Sequence, residues 1–223
     1  MKILRTFVSG ALAGVCIALG GTVFLLTESR LAGALLFTVG LFTICTCGFS
    51  LFTGRVCYVF QRGGAYAASL PVIWLGNLAG TALIALIVSV GMTAFVGFQA
   101  LIERATRIGP ALQAAAETVC AAKLGDTPGS VFLLAVLCNV LIYIAVDGFA
   151  NNPHEIGKYL ALFFGVTVFI LCGFEHCVAN MYYFTAAGVW SLRTLGCLLL
   201  MTAGNAVGGV LLPLARGWLE KGK

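Results

Sequence analysis

Long stretches without a charged side chain divide this sequence into segments of membrane-spanning length. The uncharged runs cover 6–27, 31–54, 63–102, 127–146, 159–174, 176–192 and 194–215. They are long and continuous rather than alternating, which favours helices over barrel strands. About 20 apolar residues cross the hydrocarbon of a bilayer. The pattern predicts an all-α integral membrane protein with six transmembrane helices, at about 7–27, 33–60, 68–97, 131–147, 158–190 and 194–214.

The second and fifth predicted spans are too long to be plain helices. Arg55 lies near the inner end of the second, and Glu175, His176 and Asn180 lie in the middle of the fifth. Over-long spans with polar interruptions are typical of helices that are broken around a functional site in the membrane. We therefore expect breaks in both of these spans.

Composition and charge support the membrane interpretation. Apolar residues make up 61% of the chain and charged residues 9%, against roughly 25% charged in soluble domains. A water-soluble enzyme, a nucleic-acid binder and a disordered chain are therefore excluded. Basic residues in short loops mark the cytoplasmic side of a membrane protein. They predict that both termini are cytoplasmic, and with this bias the net charge of +5 requires no nucleic-acid partner.

Two motifs recur in the same order in the two halves of the chain. Cys-Gly-Phe occurs at 47–49 and 172–174, and Gly-Asn-x-x-Gly follows some thirty residues later at 76–80 and 204–208. With three spans in each half, the second half must be inverted relative to the first. We expect a single transmembrane channel domain over 1–223, with inverted repeats at about 1–97 and 131–214 and an outer connection at 98–130. The glycines also suit close helix packing, while the asparagines indicate a polar role.

Glu175 and His176 are the polar residues that most require an explanation. Ionisable groups deep in a span are costly and usually face a cavity, a partner or a substrate path. A structural pair between helices is the alternative, but a Glu-His pair at a break, matched by Phe52-Thr53 in the first half, favours function. No metal site is expected, because the other histidine, His154, lies in a distant loop.

The motifs resemble those of the formate/nitrite transporter family over nearly the whole chain. Gly173-Phe174-Glu175-His176 followed by Ala179-Asn180-Met181 is similar to the family signature, with Cys177 where serine is frequent; Leu51 to Gly54 is similar to its second-span break, and the two Gly-Asn motifs to its third and sixth spans. The resemblance implies an aquaporin-like protomer with an inverted repeat and broken second and fifth spans. It further implies a homopentamer in lipid, of a bacterial-type inner membrane, that conducts formate, nitrite or hydrosulfide without a cofactor.

The resemblance also implies roles for particular residues. His176 matches the central pore histidine, and Thr53 its hydroxyl neighbour. Lys123 matches a vestibule lysine, although its position alone favours an interfacial anchor. The other matched residues are Glu175, Asn139, Asn180 and Asn205 near the transport path, and Phe37, Leu41, Phe52 and Phe169 at apolar constrictions.

Two departures bear on the choice of substrate and on gating. Thr53-Gly54-Arg55 is closer to the hydrosulfide-channel relatives than to the formate-channel pattern. Only about six residues precede the first predicted span, so gating by an N-terminal amphipathic helix is not expected.

Transport of a weak acid in its neutral form suits such an apolar path. A bare anion would lose its hydration in an apolar constriction, whereas the protonated acid would lose far less. In this hypothesis Lys123 attracts the anion, a proton is supplied in or near the pore, and His176 and Thr53 offer hydrogen bonds.

Two alternatives stay open. One is a membrane-embedded enzyme using Glu175 and His176, although a nucleophile or metal set is missing; the other is a neutral-solute channel, although paired Asn-Pro-Ala motifs are missing.

Overall fold

The computed structural model of the chain describes residues 1–94 and 99–221, with the side chains of 89–108 excepted. Within these residues every regular element is a helix. The helices are α1 (Lys2–Leu26), α2 (Arg30–Cys47), α3 (Phe52–Val56), α4 (Val59–Arg62), α5 (Gly64–Ala67), α6 (Leu70–Ala94), α7 (Gln99–Gly125), α8 (Pro128–Asn151), α9 (Glu155–Leu171), α10 (Cys177–Ala186) and α11 (Leu192–Glu220).

Several of these helices have the length and composition of membrane spans. In the described part of the chain, five segments qualify: Lys2–Leu26, Arg30–Cys47, Gly64–Val88, Pro128–Asn151 and Leu192–Glu220. The prediction of an all-helical, multi-pass membrane protein is confirmed. The count of six spans stays a prediction, and residues 95–97 of the third predicted span lie outside the described residues.

Several helix bounds differ from the predicted spans because hydropathy locates the hydrocarbon and not the ends of a helix. The helix α1 begins at Lys2, before the predicted start at 7, and α11 continues to Glu220, beyond the predicted end at 214. The start of α11 is set by a capping box, in which Ser191 Oγ accepts from the Thr194 amide. Most of the predicted outer connection is the helix α7.

Two short non-helical segments interrupt the chain at equivalent places in its halves. Gly48 follows α2 with φ +72°, and α3 begins at Phe52. Gly173 follows α9 with φ +69°, after Cys172, and α10 begins at Cys177. Glycine adopts this left-handed conformation without steric cost, so it can end a helix inside an apolar region. The two interruptions fall within the second and fifth predicted spans.

The Gly-Asn-x-x-Gly motifs lie in two matching helix contacts. The helix α6 packs on α1, and α11 packs on α8. A Cβ on Gly80 would overlap the carbonyl oxygen of Ala11, and a Cβ on Gly208 would overlap that of Val136. These glycines therefore allow the backbones to touch, as the packing interpretation of the motif predicts.

Candidate functional site

The first interruption is bridged by the side chain of Asn77 on α6. Asn77 Oδ1 accepts a hydrogen bond of 2.8 Å from the Phe52 amide, the first residue of α3. Its Nδ2 donates to the carbonyl oxygens of Gly10, at 2.8 Å, and Ser50, at 3.0 Å. One buried amide thus satisfies backbone groups that lipid could not, on α1, within the break and at the start of α3.

Asn205 on α11 forms the same arrangement at the second interruption. Its Oδ1 accepts from the Cys177 amide at 2.9 Å, at the start of α10. Its Nδ2 donates to the carbonyl oxygens of Ala135 on α8 and Glu175, both at 2.8 Å. The polar atoms of Asn205 therefore bond to backbone groups at a helix break and on α8. The side chain lines neither of the two cavities described below.

His176 lies at the start of α10 and bonds through both ring nitrogens. Its Nδ1 accepts from the Ala179 amide at 3.1 Å and so caps the helix. The neutral ring then carries its proton on Nε2, which lies 2.9 Å from Thr53 Oγ1 on α3. Both side chains are buried. The two breaks, predicted separately from the sequence, thus meet in one hydrogen bond.

Apolar side chains pack against the imidazole of His176. Phe169 stacks on the imidazole, with ring centroids 5.5 Å apart and an interplanar angle of 16°. Phe37 meets the edge of Phe169 at 6.1 Å. The two other residues predicted at constrictions, Leu41 and Phe52, are buried in the same cluster. These four side chains offer a charged solute no hydrogen bond.

Glu175 is paired with a distant lysine. Glu175 Oε2 accepts from Lys123 Nζ at 2.7 Å and from Asn180 Nδ2 at 2.8 Å. The carboxylate is 1% exposed and the lysine side chain 13%. Lys123 is therefore neither an isolated anchor nor a free cation, because its charge is shared with a buried carboxylate.

Asn139 on α8 supports the site from behind. Its Nδ2 donates to the Thr53 carbonyl oxygen at 3.0 Å and lies 3.7 Å from Cys57 Sγ. It is fully buried and lines neither cavity. Its position is that of a residue that holds α3, and with it the Thr53 hydroxyl, in place.

A cavity of about 410 Å³, which we call the Lys123 cavity, reaches His176 from one side. Its wall carries both signs of charge, from Arg30, Lys123, Asp126 and Glu175. Arg30 also donates to the Leu171 carbonyl oxygen at 2.8 Å, which ties the end of α9 to this wall.

A second cavity of about 350 Å³, which we call the Arg55 cavity, reaches Gly54 beside Thr53. Its wall contains Arg55 and Arg62, and no carboxylate is among the described residues that line it. The two cavities share no lining residue. His176 thus lies on the wall of a cavity of mixed charge, and its partner Thr53 is next to Gly54 on the wall of a basic cavity.

Sequence reasoning missed three features of this site. Lys123 and Glu175 are 52 residues apart, so nothing in the sequence pairs them. Arg30 and Tyr183 both line the Lys123 cavity, and neither belongs to a motif. Tyr183 could have been found from its spacing, because it lies seven residues, or two helical turns, after His176. Within the described ranges, no cluster of three His, Cys, Asp or Glu side chains could hold a metal ion.

This fold and site are those of an all-helical, multi-pass membrane channel, and comparison with known proteins gives the family. The formate/nitrite transporter family model matches residues 1–219. The chain belongs to that family. Its relatives and structural neighbours are channels and transporters and not enzymes.

Two relatives and a solved structure show the extent of the similarity. The formate channel FocA of Haemophilus influenzae is 28% identical over 79% of this chain, and the match spans 64% of that channel's length, just under two thirds. The nitrite transporter NirC of Salmonella typhimurium is 28% identical over 93% of this chain and 80% of its own. A pentameric formate channel with formate bound has the same fold, with a TM-score of 0.78 and 22% identity over 100% of this chain and 98% of its own.

Proposed function

We propose that this protein is a channel for the small monovalent anions of weak acids, with formate, nitrite and hydrosulfide as the candidate substrates. The observation that carries the proposal is the Thr53–His176 hydrogen bond, which joins two helix breaks, with His176 on the wall of one cavity and Thr53 next to Gly54 on the wall of the other. An apolar path with one polar pair suits a solute that becomes neutral by taking up a proton, because the neutral form loses less hydration than the anion. Relatives named as formate channels and nitrite transporters support formate and nitrite as candidates.

The proposed path starts in the Lys123 cavity, on the outer side. The lysine attracts the anion electrostatically, and the anion takes up a proton in or near the pore. The neutral acid then passes the rings of Phe37, Phe52 and Phe169 while Thr53 and His176 offer it hydrogen bonds. It ionises again in the Arg55 cavity, where two guanidinium groups stabilise the anion. Asn139 and Asn205 act through the backbone that they hold.

The same proposal covers the architecture and its setting. The six spans form two inverted repeats, at about 1–97 and 131–214, with α2/α3 and α9/α10 as the broken spans. Both termini face the cytoplasm of a bacterial-type inner membrane, and five protomers assemble with one pore each. The pentameric formate channel of the same fold supports that assembly. In this orientation the Lys123 cavity opens outward and the Arg55 cavity inward.

The test is uptake of formate, nitrite and hydrosulfide by liposomes that contain the purified protein, measured across external pH. His176→Asn retains an acceptor for the Ala179 amide, so α10 keeps its cap while the imidazole is removed. This variant should alter the selectivity or the pH dependence of uptake. His154→Ala, which removes the histidine outside both cavities, is the matched control and should behave like the parent.

Three results would contradict parts of this proposal. Parental transport by His176→Asn at every pH and for every anion would remove the histidine from the mechanism. Equal uptake of large organic solutes would show that the protein does not form a selective pore. Uptake of glycerol or water without any of the three acids would favour a neutral-solute channel.

A further inference from the structure

The wall of the Arg55 cavity carries positive charge that its described lining does not neutralise. Arg55 and Arg62 both line this cavity, and neither forms an ion pair with a described residue. Asp147 bonds to the lining residue Asn151, but its carboxylate is paired with Arg216 at 3.3 Å and does not line the cavity. Like charges that share a cavity repel each other, so an anion bound between them would stabilise both.

Tyr66 holds the two arginines next to each other. Its ring lies under Arg62, with the guanidinium carbon 5.4 Å from the ring centroid, and the ring of Tyr58 contacts the same guanidinium at 5.6 Å. The Tyr66 hydroxyl donates to the Arg55 carbonyl oxygen at 2.8 Å, and the Arg55 guanidinium lies near this hydroxyl. Stacking on an aromatic face orients a guanidinium and leaves its N–H donors free. The two charged groups are therefore positioned by contacts that do not neutralise them.

Both guanidinium groups are open to a ligand. Arg62 is exposed and Arg55 is half-buried. The side-chain nitrogens of Arg55 are not among the buried atoms that lack a hydrogen-bond partner, so they are accessible to solvent. The cavity volume of about 350 Å³ lies in the range of small-molecule sites, roughly 300–1,000 Å³, and leaves room for an ion larger than formate. Two accessible guanidinium groups in this volume suit an anion that has two charges and several oxygens.

We propose that the Arg55 cavity binds a divalent oxyanion of the phosphate type, which blocks the path of the monovalent acids without crossing it. Each guanidinium presents paired N–H donors to the oxygens of the tetrahedral ion. A dianion must take up two protons to become neutral, whereas formate or nitrite needs one, so the dianion is retained at the apolar side chains. Gly54, next to Thr53, lines the same cavity, so the ion lies on the proposed path. The block rests on the proposed function, and the binding does not.

Binding is measured first, without transport, as the thermal unfolding of the purified protein in detergent at about pH 8 and constant ionic strength. Inorganic phosphate and glycerol phosphate carry the same dianion, one as a free ion and one as an ester, and both are divalent at this pH. Both should raise the unfolding temperature of the parent, and chloride should not. The compound that binds more tightly shows whether a free ion or an ester is the preferred ligand.

Arg55→Gln removes one of the two guanidinium groups. It should weaken the affinity for phosphate about tenfold or more, because a charge-assisted contact is lost. Arg5→Gln removes a charge outside both cavities and is the matched control, which should bind phosphate like the parent. Parental affinity in Arg55→Gln, or equal stabilisation of the parent by chloride, would overturn the site.

Arg55→Lys separates a fitted site from general electrostatic attraction. Lysine keeps the charge but replaces the planar fork of donors with a point charge. This variant should bind phosphate more weakly than the parent and more tightly than Arg55→Gln. A lysine variant that binds phosphate as tightly as the parent would overturn the guanidinium contacts.

The block is tested in vesicles in which the protein has one orientation. Phosphate on the side of the Arg55 cavity should lower the uptake of formate and should not itself be taken up. The same concentration on the side of the Lys123 cavity should have little effect. Equal inhibition from both sides, or uptake of phosphate at the rate of formate, would overturn the block.

The failure of this inference and the failure of the proposed function give different results. An unfolding temperature that does not respond to phosphate, with formate uptake intact, overturns the phosphate site and leaves the channel standing. Phosphate binding by a parent protein that transports none of the three acids overturns the channel and leaves the binding site standing.

Discussion

At the scale of single residues, the hydroxyl of Thr53 accepts the hydrogen bond that His176 Nε2 donates. Thr53→Val keeps the shape of the side chain but leaves His176 Nε2–H buried without a partner, at a cost of about 1–3 kcal/mol. We expect uptake to fall about tenfold or more and the unfolding temperature to drop. Thr53→Ser retains the hydroxyl and should stay near the parent in both measurements. Equal uptake by the valine and serine variants would show that the hydroxyl has no part in transport.

The Lys123–Glu175 pair gives an asymmetric prediction because its two members are unequally buried. Lys123→Met leaves a carboxylate that is 1% exposed without its cation, whereas Glu175→Gln leaves a lysine with some access to the cavity. An unpaired buried charge costs about 3–5 kcal/mol. Thermal unfolding in detergent should therefore show a larger loss for Lys123→Met than for Glu175→Gln.

The double variant Lys123→Met/Glu175→Gln removes both charges and checks the cause. It should recover much of the stability lost in Lys123→Met, because no buried charge is left unpaired. A double variant that is less stable than either single variant would show that packing, and not charge, sets the stability of this pair.

At the scale of helices, the seams between α1 and α6 and between α8 and α11 set the limits on substitution. Gly80→Ala and Gly208→Ala would each drive a methyl group into a backbone carbonyl, so both should lower the yield of folded protein and its unfolding temperature. Gly196→Ala is the control, because it lies on α11 with no atom near its Cβ position. Alanine there should be neutral or stabilising, by up to about 1 kcal/mol. If all three variants unfold alike, the glycines are not packing residues.

The sequence predicted the all-helical membrane class, and each of the two spans that it predicts to be broken contains a non-helical segment; it did not predict how these segments are held. Over-long spans with polar interruptions predicted the breaks, because lipid leaves few other ways to place polar residues. The bonding of Asn77 and Asn205 to the backbone was not predicted, because each bonds to three backbone groups on two stretches of chain that are distant from it in sequence. Pairings over such distances depend on how helices cross, and periodicity carries no information about that.

At the scale of the whole molecule, the two cavities differ in charge, and this asymmetry can be measured. Arg55→Gln reduces the positive charge of a cavity whose described lining has no carboxylate. It should weaken the capture of anions from that side about tenfold at low salt, and the effect should shrink as salt screens it. Uptake from the other side should change less.

Arg5→Gln provides the control for this asymmetry. Arg5 is exposed on α1 and lines neither cavity, so the variant removes the same charge from elsewhere on the molecule. The comparison requires vesicles in which the protein has one orientation, loaded with substrate on one side at a time. If Arg5→Gln and Arg55→Gln have the same effect, net charge and not the cavity determines capture.

The helix cap formed by His176 has a consequence for the proton gradient across the membrane. Hopping of protons along a chain of groups needs each member to receive a proton on one side and release it on the other. The second nitrogen of this ring is bonded to the amide of Ala179, and an amide N–H has no lone pair with which to pass a proton on. The ring therefore holds its proton on Nε2 but cannot relay protons along a chain of groups. Liposomes that contain this protein should keep an imposed pH gradient until a weak acid is added. The channel would therefore not leak protons in the absence of its substrate.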